Sequence, residues 1–74
     1  MGKKKDKRIQ RGLKARANGR AYHTNSDEDP GTDRHHNRPD CPDGLRIEDK
    51  HIREGDLGRP LCVECRRLWA EATT

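Results

Sequence analysis

The spacing of the three cysteines constrains this chain most strongly. Cys62 and Cys65 are separated by two residues, and Cys41 lies well upstream of them. Two thiolates at this spacing can reach one tetrahedral ion from a turn that enters a helix. An odd number of cysteines leaves one thiol unpaired in any set of intramolecular disulfides. The pattern therefore predicts a metal site with Cys41, Cys62 and Cys65 as ligands, and disfavours Cys62 and Cys65 as a redox pair.

The composition explains why such a chain needs a metal. Only 27% of the 74 residues are hydrophobic and 41% are charged, with one Trp, one Tyr and no Phe. A chain this short and polar buries too little apolar surface to offset the entropy of ordering. A bound ion can supply that missing free energy directly. We therefore expect structural Zn²⁺, which suits a Cys₃His ligand set better than harder cations do.

The identity of the fourth ligand stays open among several side chains. His36 is favoured because it would form one ligand pair with Cys41 across the turn that contains Pro39. We assign no role to His23. The candidates, in order of preference, are His36, His51 and His35, followed by Asp40 and Asp43.

The chain divides into three segments. Residues 1–22 form a basic arm, residues 23–34 an acidic linker, and residues 35–74 the zinc-finger domain. Ile9 and Leu13 are too few to dock a helix firmly, so we expect the arm to be disordered when free.

The sequence of residues 35–74 predicts a small metal-stabilised α+β domain. A short β-hairpin and a C-terminal helix that opens after Pro60 together predict a treble-clef-like zinc finger. Trp69 is expected to pack over the zinc site. The first strand contains Leu45 and Ile47, the second contains Leu57, Leu61 and Val63, and one helix face carries Cys65, Leu68, Trp69 and Ala72.

Two stretches, CPDGLRI at residues 41–47 and PLCVECRRL at residues 60–68, resemble the zinc finger of the DksA/TraR family. That family carries two CxxC pairs, whereas here no second cysteine lies three residues from Cys41. The family's coiled-coil domain is also absent, and the N-terminal arm is basic. The resemblance implies metal roles for Cys41, Cys62 and Cys65, a treble-clef-like finger, and binding to bacterial RNA polymerase.

Charge is distributed unevenly along the chain. Nine of the 17 basic residues fall within residues 1–20 against one acidic residue, whereas residues 21–74 hold eight basic and twelve acidic residues. Basic tails of this kind neutralise nucleic-acid phosphates. The predicted phosphate contacts are Lys3, Lys4, Lys5, Lys7, Arg8, Arg11, Lys14, Arg16 and Arg20.

These features predict a nucleic-acid-associated zinc module rather than an enzyme. The zinc finger would dock or orient the chain on DNA, RNA or a ribosome, and the arm would contact phosphates. The alternative is a protein-binding finger that acts on RNA polymerase. No segment approaches the ~20 apolar residues of a membrane span and no secretory signal is visible, so we expect a cytoplasmic monomer.

Overall fold

The structure, a computed structural model, describes residues 6–29 and 31–72. It is a small α+β fold built on a two-stranded antiparallel sheet, in which Tyr22 pairs with Glu54 and Thr24 with Ile52. A 3₁₀ turn, Asp49–His51, leads into the second strand. In chain order the elements are α1 (Lys7–Ala17), β1 (Tyr22–Thr24), α2 (Pro42–Leu45), β2 (Ile52–Glu54) and α3 (Val63–Ala72).

Helix α1 has a cap at each end. The Asp6 carboxylate accepts a 2.8 Å hydrogen bond from the backbone N–H of Arg8, and this bond lowers the pKa of Asp6. Gly19, with φ +70°, ends the helix, and the N–H of Arg20 then donates to the Ala15 carbonyl. Caps of both kinds satisfy backbone groups that a free helix end would leave unpaired.

Small residues hold α1 against the sheet. Gly12 and Ala15 are buried, and a Cβ atom on Gly12 would lie 2.8 Å from the carbonyl carbon of Ile52. Ile9 and Leu13 cover the edges of an apolar cluster composed of Ala15, Tyr22, Ile47 and Ile52.

The predicted disorder of residues 1–22 is therefore wrong for residues 7–17, because close backbone packing at Gly12 adds to the contacts of Ile9 and Leu13. Residues 1–5 lie outside the described part of the chain.

Tyr22 fills the centre of the structure. Its ring is fully buried and lies against Gly44 of α2, where a Cβ atom would collide with the Tyr22 hydroxyl and ring. Its hydroxyl donates a 2.7 Å hydrogen bond to the carbonyl of Arg38, and burial raises the pKa of that hydroxyl. The guanidinium of Arg16 donates to the Gly44 carbonyl at 3.0 Å. The Tyr22 side chain of β1 thus contacts α2 at Gly44 and packs with Ala15 of α1.

The predicted β-hairpin is wrong. Leu45 belongs to α2 and is exposed, and Leu57 is exposed with φ +51°, a turn conformation. β2 pairs instead with β1, which the sequence analysis placed in the arm and the linker. The C-terminal helix is confirmed as Val63–Ala72. None of the described helices is long and apolar enough to cross a membrane.

Part of the predicted linker is ordered against the rest of the chain. Asp29 is buried, and its carboxylate accepts hydrogen bonds from the Thr24 hydroxyl at 2.6 Å and from His51 at 3.0 Å. Burial opposes ionisation of Asp29, but these hydrogen bonds outweigh it and lower its pKa. The domain boundaries at residues 22/23 and 34/35 stay predictions.

We predict that Gly12→Ala destabilises the metal-loaded protein by about 1–3 kcal/mol, because the added methyl group meets the backbone of Ile52, which cannot rotate away. Chemical denaturation measures the effect. Gln10→Ala, an alanine on the exposed side of the same helix, is the control and should be neutral or slightly stabilising. A Gly12→Ala protein as stable as the wild type would contradict the close packing.

Candidate metal centre

Four side chains converge in the interior to form a metal-ligand cluster. His36, Cys41, Cys62 and Cys65 bring one nitrogen and three sulfur atoms within 4.8 Å of one another. Their exposed fractions are 0, 0, 4 and 0%, respectively. The cluster could hold a metal ion.

Backbone pairing positions His36. Its N–H and carbonyl exchange 2.8 Å hydrogen bonds with Tyr22, and the neighbouring His35 carbonyl accepts from the N–H of Cys62, also at 2.8 Å. The segment 35–36 therefore lies between β1 and the chain that enters α3. The His36 ring stacks on the Tyr22 ring, with centroids 5.4 Å apart. Both the backbone and the ring of this histidine are fixed by residues outside the cluster.

Two helix starts position the cysteines. Cys41 precedes α2, with Pro42 as the first helical residue, and its carbonyl accepts from the N–H of Leu45. Cys62 immediately precedes α3, and its carbonyl accepts from the N–H of Arg66 at 3.0 Å. Cys65 lies in the first turn of α3. The backbone N–H groups at a helix start favour the thiolate form of cysteine.

Three distances within the cluster are equal to or slightly longer than the edges of a tetrahedral coordination sphere. The Sγ atoms of Cys41 and Cys62 are 3.8 Å apart, and Nδ1 of His36 lies 3.7 Å from Cys41 Sγ and 3.9 Å from Cys65 Sγ. Tetrahedral bonds of ~2.3 Å to sulfur and ~2.0 Å to nitrogen give edges of about 3.8 Å and 3.5 Å. A disulfide needs ~2.05 Å between sulfurs, and all three cysteines are free.

Burial opposes ionisation of the thiols in the cluster. Burial raises the pKa of the Cys41 thiol to about 12 and also raises that of Cys65. Burial lowers the pKa of His36, so its imidazole is neutral and able to coordinate. The backbone N–H of Asn37 donates to Cys65 Sγ at 3.4 Å. Ionising buried thiols requires a positive charge at their centre, and a metal ion provides it.

Hydrogen bonding distinguishes His36 from the other histidines. Nδ1 of His35 bonds to the Arg59 carbonyl at 2.7 Å, and Nδ1 of His51 bonds to the Asp29 carboxylate. His23, to which the sequence analysis gave no role, is buried and bonds to the Gly55 carbonyl. Nδ1 of His36 instead faces two sulfur atoms, and its Nε2 has no hydrogen-bond partner among the described residues.

Trp69 does not cover the cluster as the helix pattern predicted. Its side chain is 43% exposed, its indole N–H donates to the Asn37 side chain at 2.7 Å, and the Arg38 guanidinium lies 4.7 Å from its ring centroid. Leu68 packs against the cysteines instead. Both residues share a helix face with Cys65, and periodicity cannot say which of them lies nearer the cluster.

The sequence patterns did not identify Tyr22 as a residue that supports the cluster. A sole tyrosine in a chain poor in aromatic residues is nevertheless a candidate for the core.

The nine predicted phosphate contacts separate into three groups. Lys3, Lys4 and Lys5 lie outside the described residues. Three arginines pair with acidic side chains: Arg8 with Asp6 at 3.5 Å, Arg16 with Asp49 at 3.8 Å and Arg20 with Glu54 at 3.4 Å. The remaining cations are exposed on α1 and form no ion pair with a described residue; they are Lys7, Arg11 and Lys14.

Comparison with known proteins gives no family for the chain. No protein-family model, curated protein or solved structure matches it. The resemblance of residues 41–68 to the DksA/TraR finger stays a prediction. The case for function therefore rests on the metal-ligand cluster and on the surface of α1.

We predict that His36→Ala and Cys65→Ser each reduce metal content well below one ion per chain, because each removes a buried ligand. Elemental analysis of the purified protein measures the stoichiometry. His51→Ala is the matched control and should retain the full metal content, since His51 bonds to Asp29 outside the cluster. If His51→Ala loses the ion and His36→Ala keeps it, the ligand assignment is incorrect.

Proposed function

We propose that this chain is a zinc-stabilised module that binds nucleic acid through helix α1. The metal-ligand cluster supports the first half of the proposal, because four buried ligand atoms lie within 4.8 Å of one another. The exposed cations of α1 carry the second half.

The ligand set supports zinc. Three thiols and one imidazole suit a borderline-soft ion, whereas Mg²⁺ and Ca²⁺ prefer oxygen ligands. All four ligands come from the protein and are at least nine-tenths buried. A catalytic zinc needs a coordination position that is open to water or substrate. The proposed role of the ion is therefore structural.

The proposed zinc also supports the surface that binds. His36 stacks on Tyr22, and Tyr22 packs with Ala15 of α1 in the apolar cluster. A metal-ligand bond to His36 would hold this stack in place. The position of α1 on the sheet then depends on the ion although no residue of α1 contacts it.

We expect that metal removal by a chelator abolishes cooperative thermal unfolding, because zinc supplies folding free energy that the small apolar clusters lack. Circular dichroism follows the transition, and restoring Zn²⁺, but not Mg²⁺, should recover it. Substitution with Co²⁺ should give the visible absorption of a tetrahedral thiolate site. A protein that folds equally well in chelator would contradict a structural role for the metal.

The surface of α1 supports nucleic-acid binding. Lys7, Arg11 and Lys14 border one shallow depression together with Gln10. Because these three cations form no ion pair with a described residue, phosphate contact would not break an internal interaction. Arg8, Arg16 and Arg20 already have acidic partners. The structure thus favours three of the six described candidates.

We predict that the triple substitution Lys7→Gln, Arg11→Gln and Lys14→Gln weakens nucleic-acid binding roughly tenfold or more. It should also make the slope of log K against log salt less negative by about 2.7, since three phosphate contacts are lost. Fluorescence anisotropy at several salt concentrations measures both quantities.

The control for this experiment removes three exposed cations elsewhere. Arg46→Gln, Lys50→Gln and Arg66→Gln change the net charge equally but lie outside α1. This variant should bind nearly as tightly as the wild type. If both triple variants lose affinity equally, only net charge matters and α1 is not the binding surface.

A further inference from the structure

We infer that α1 binds double-stranded DNA by entering its major groove, an inference that rests on the proposed function and specifies its partner. It depends on how the side chains are arranged around α1, on the size of the helix, and on the positions of the two large aromatic residues.

The outward face of α1 is continuous and polar. Successive helical residues rotate by about 100°, so Lys7, Gln10, Arg11 and Lys14 fall within an arc of about 100° on the side opposite Gly12. Gly12 lies directly on the backbone of Ile52, and all four polar residues are exposed. We call these four residues the basic face. The sheet supports the helix from behind, and the basic face points into solvent.

The dimensions of α1 match the DNA groove. Its 11 residues span about 16 Å, and its diameter with side chains is about 10–12 Å. The major groove of B-DNA is about 12 Å wide and admits one helix. The deep, narrow major groove of A-form RNA does not admit protein side chains. The same face cannot bind duplex RNA in this way.

Gln10 gives the basic face more than charge. Its amide both donates and accepts hydrogen bonds, and it lies at one edge of the basic face, one helical turn from Lys7 and from Lys14. Glutamine can form a paired contact with adenine, and arginine or lysine with guanine, in the major groove. A phosphate could accept from the amide N–H, but only a base edge uses the donor and the acceptor of the amide together. The face thus combines groups for phosphates with groups for base edges.

Single-stranded nucleic acid fits poorly. Proteins bind single strands by stacking bases on aromatic side chains in a positively charged groove. The chain has no Phe, its one Tyr is fully buried, and its one Trp lies on α3 beneath the Arg38 guanidinium. No large aromatic residue accompanies the cations of α1. The basic face lacks a stacking platform.

The test measures binding of the full, zinc-loaded chain to four labelled 20-base-pair or 20-nucleotide probes by fluorescence anisotropy at low salt. The probes are duplex DNA, duplex RNA of the same sequence, single-stranded DNA, and duplex DNA whose cytosines carry glucosylated 5-hydroxymethyl groups. Those groups project from C5 into the major groove and obstruct it. We expect unmodified duplex DNA to bind at least tenfold more tightly than each of the other three probes.

The remaining outcomes separate this inference from the proposed function. Equal binding to all probes, lost in the Lys7→Gln, Arg11→Gln, Lys14→Gln variant, overturns the major-groove inference and leaves nucleic-acid binding by α1 intact. Tighter binding to single-stranded DNA or to duplex RNA overturns the inference in the same way. Absence of binding to every probe, or full binding by that variant, overturns both.

Discussion

The stack of the Tyr22 ring on the His36 ring joins the two halves of the interior, with centroids 5.4 Å apart. On one side Tyr22 packs with Ala15, Ile47 and Ile52, and on the other His36 faces the sulfurs of Cys41 and Cys65. Each half alone is too small to offset the entropy of ordering a chain of this length. Through this stack, the proposed metal–ligand bond at His36 would stabilise α1 and the sheet.

Close packing and exposed charge occur together in α1. Gly12 and Ala15 bring the helix onto the backbone of β2, which buries one side of a mostly polar helix that has only two large apolar residues, Ile9 and Leu13. The opposite side can then remain cationic at no cost to the core. At one edge of the helix, the Arg16 guanidinium forms an ion pair with Asp49 and donates a hydrogen bond to the Gly44 carbonyl. One helix thus forms a wall of the interior and carries the exposed cations that we propose as the surface for a polyanion.

The accuracy of sequence reasoning differed between the two ends of the chain. The CxxC spacing and the change of period after Cys62 correctly predicted a C-terminal helix, and the structure brings the cysteines together with the favoured histidine, His36. The hairpin prediction failed because the alternation of Leu45 and Ile47 is too short to separate a strand from a helical turn. The predicted disorder of α1 failed because it depended only on the small number of large apolar residues, and the close approach of Gly12 to a strand lies outside any local pattern.

The sequence alone determined the chemistry of the cluster, because thiol and imidazole ligands at turn-forming positions depend on residue type and local spacing. It also determined the cationic character of the N-terminal region, since charge can be counted. The tertiary structure decided which histidine joins the sulfurs, as the other three direct Nδ1 to oxygen acceptors distant in sequence. It also decided which of the cations in residues 6–29 and 31–72 form no ion pair with another residue of those ranges. Both outcomes depend on contacts between residues far apart in the chain, which no local pattern records.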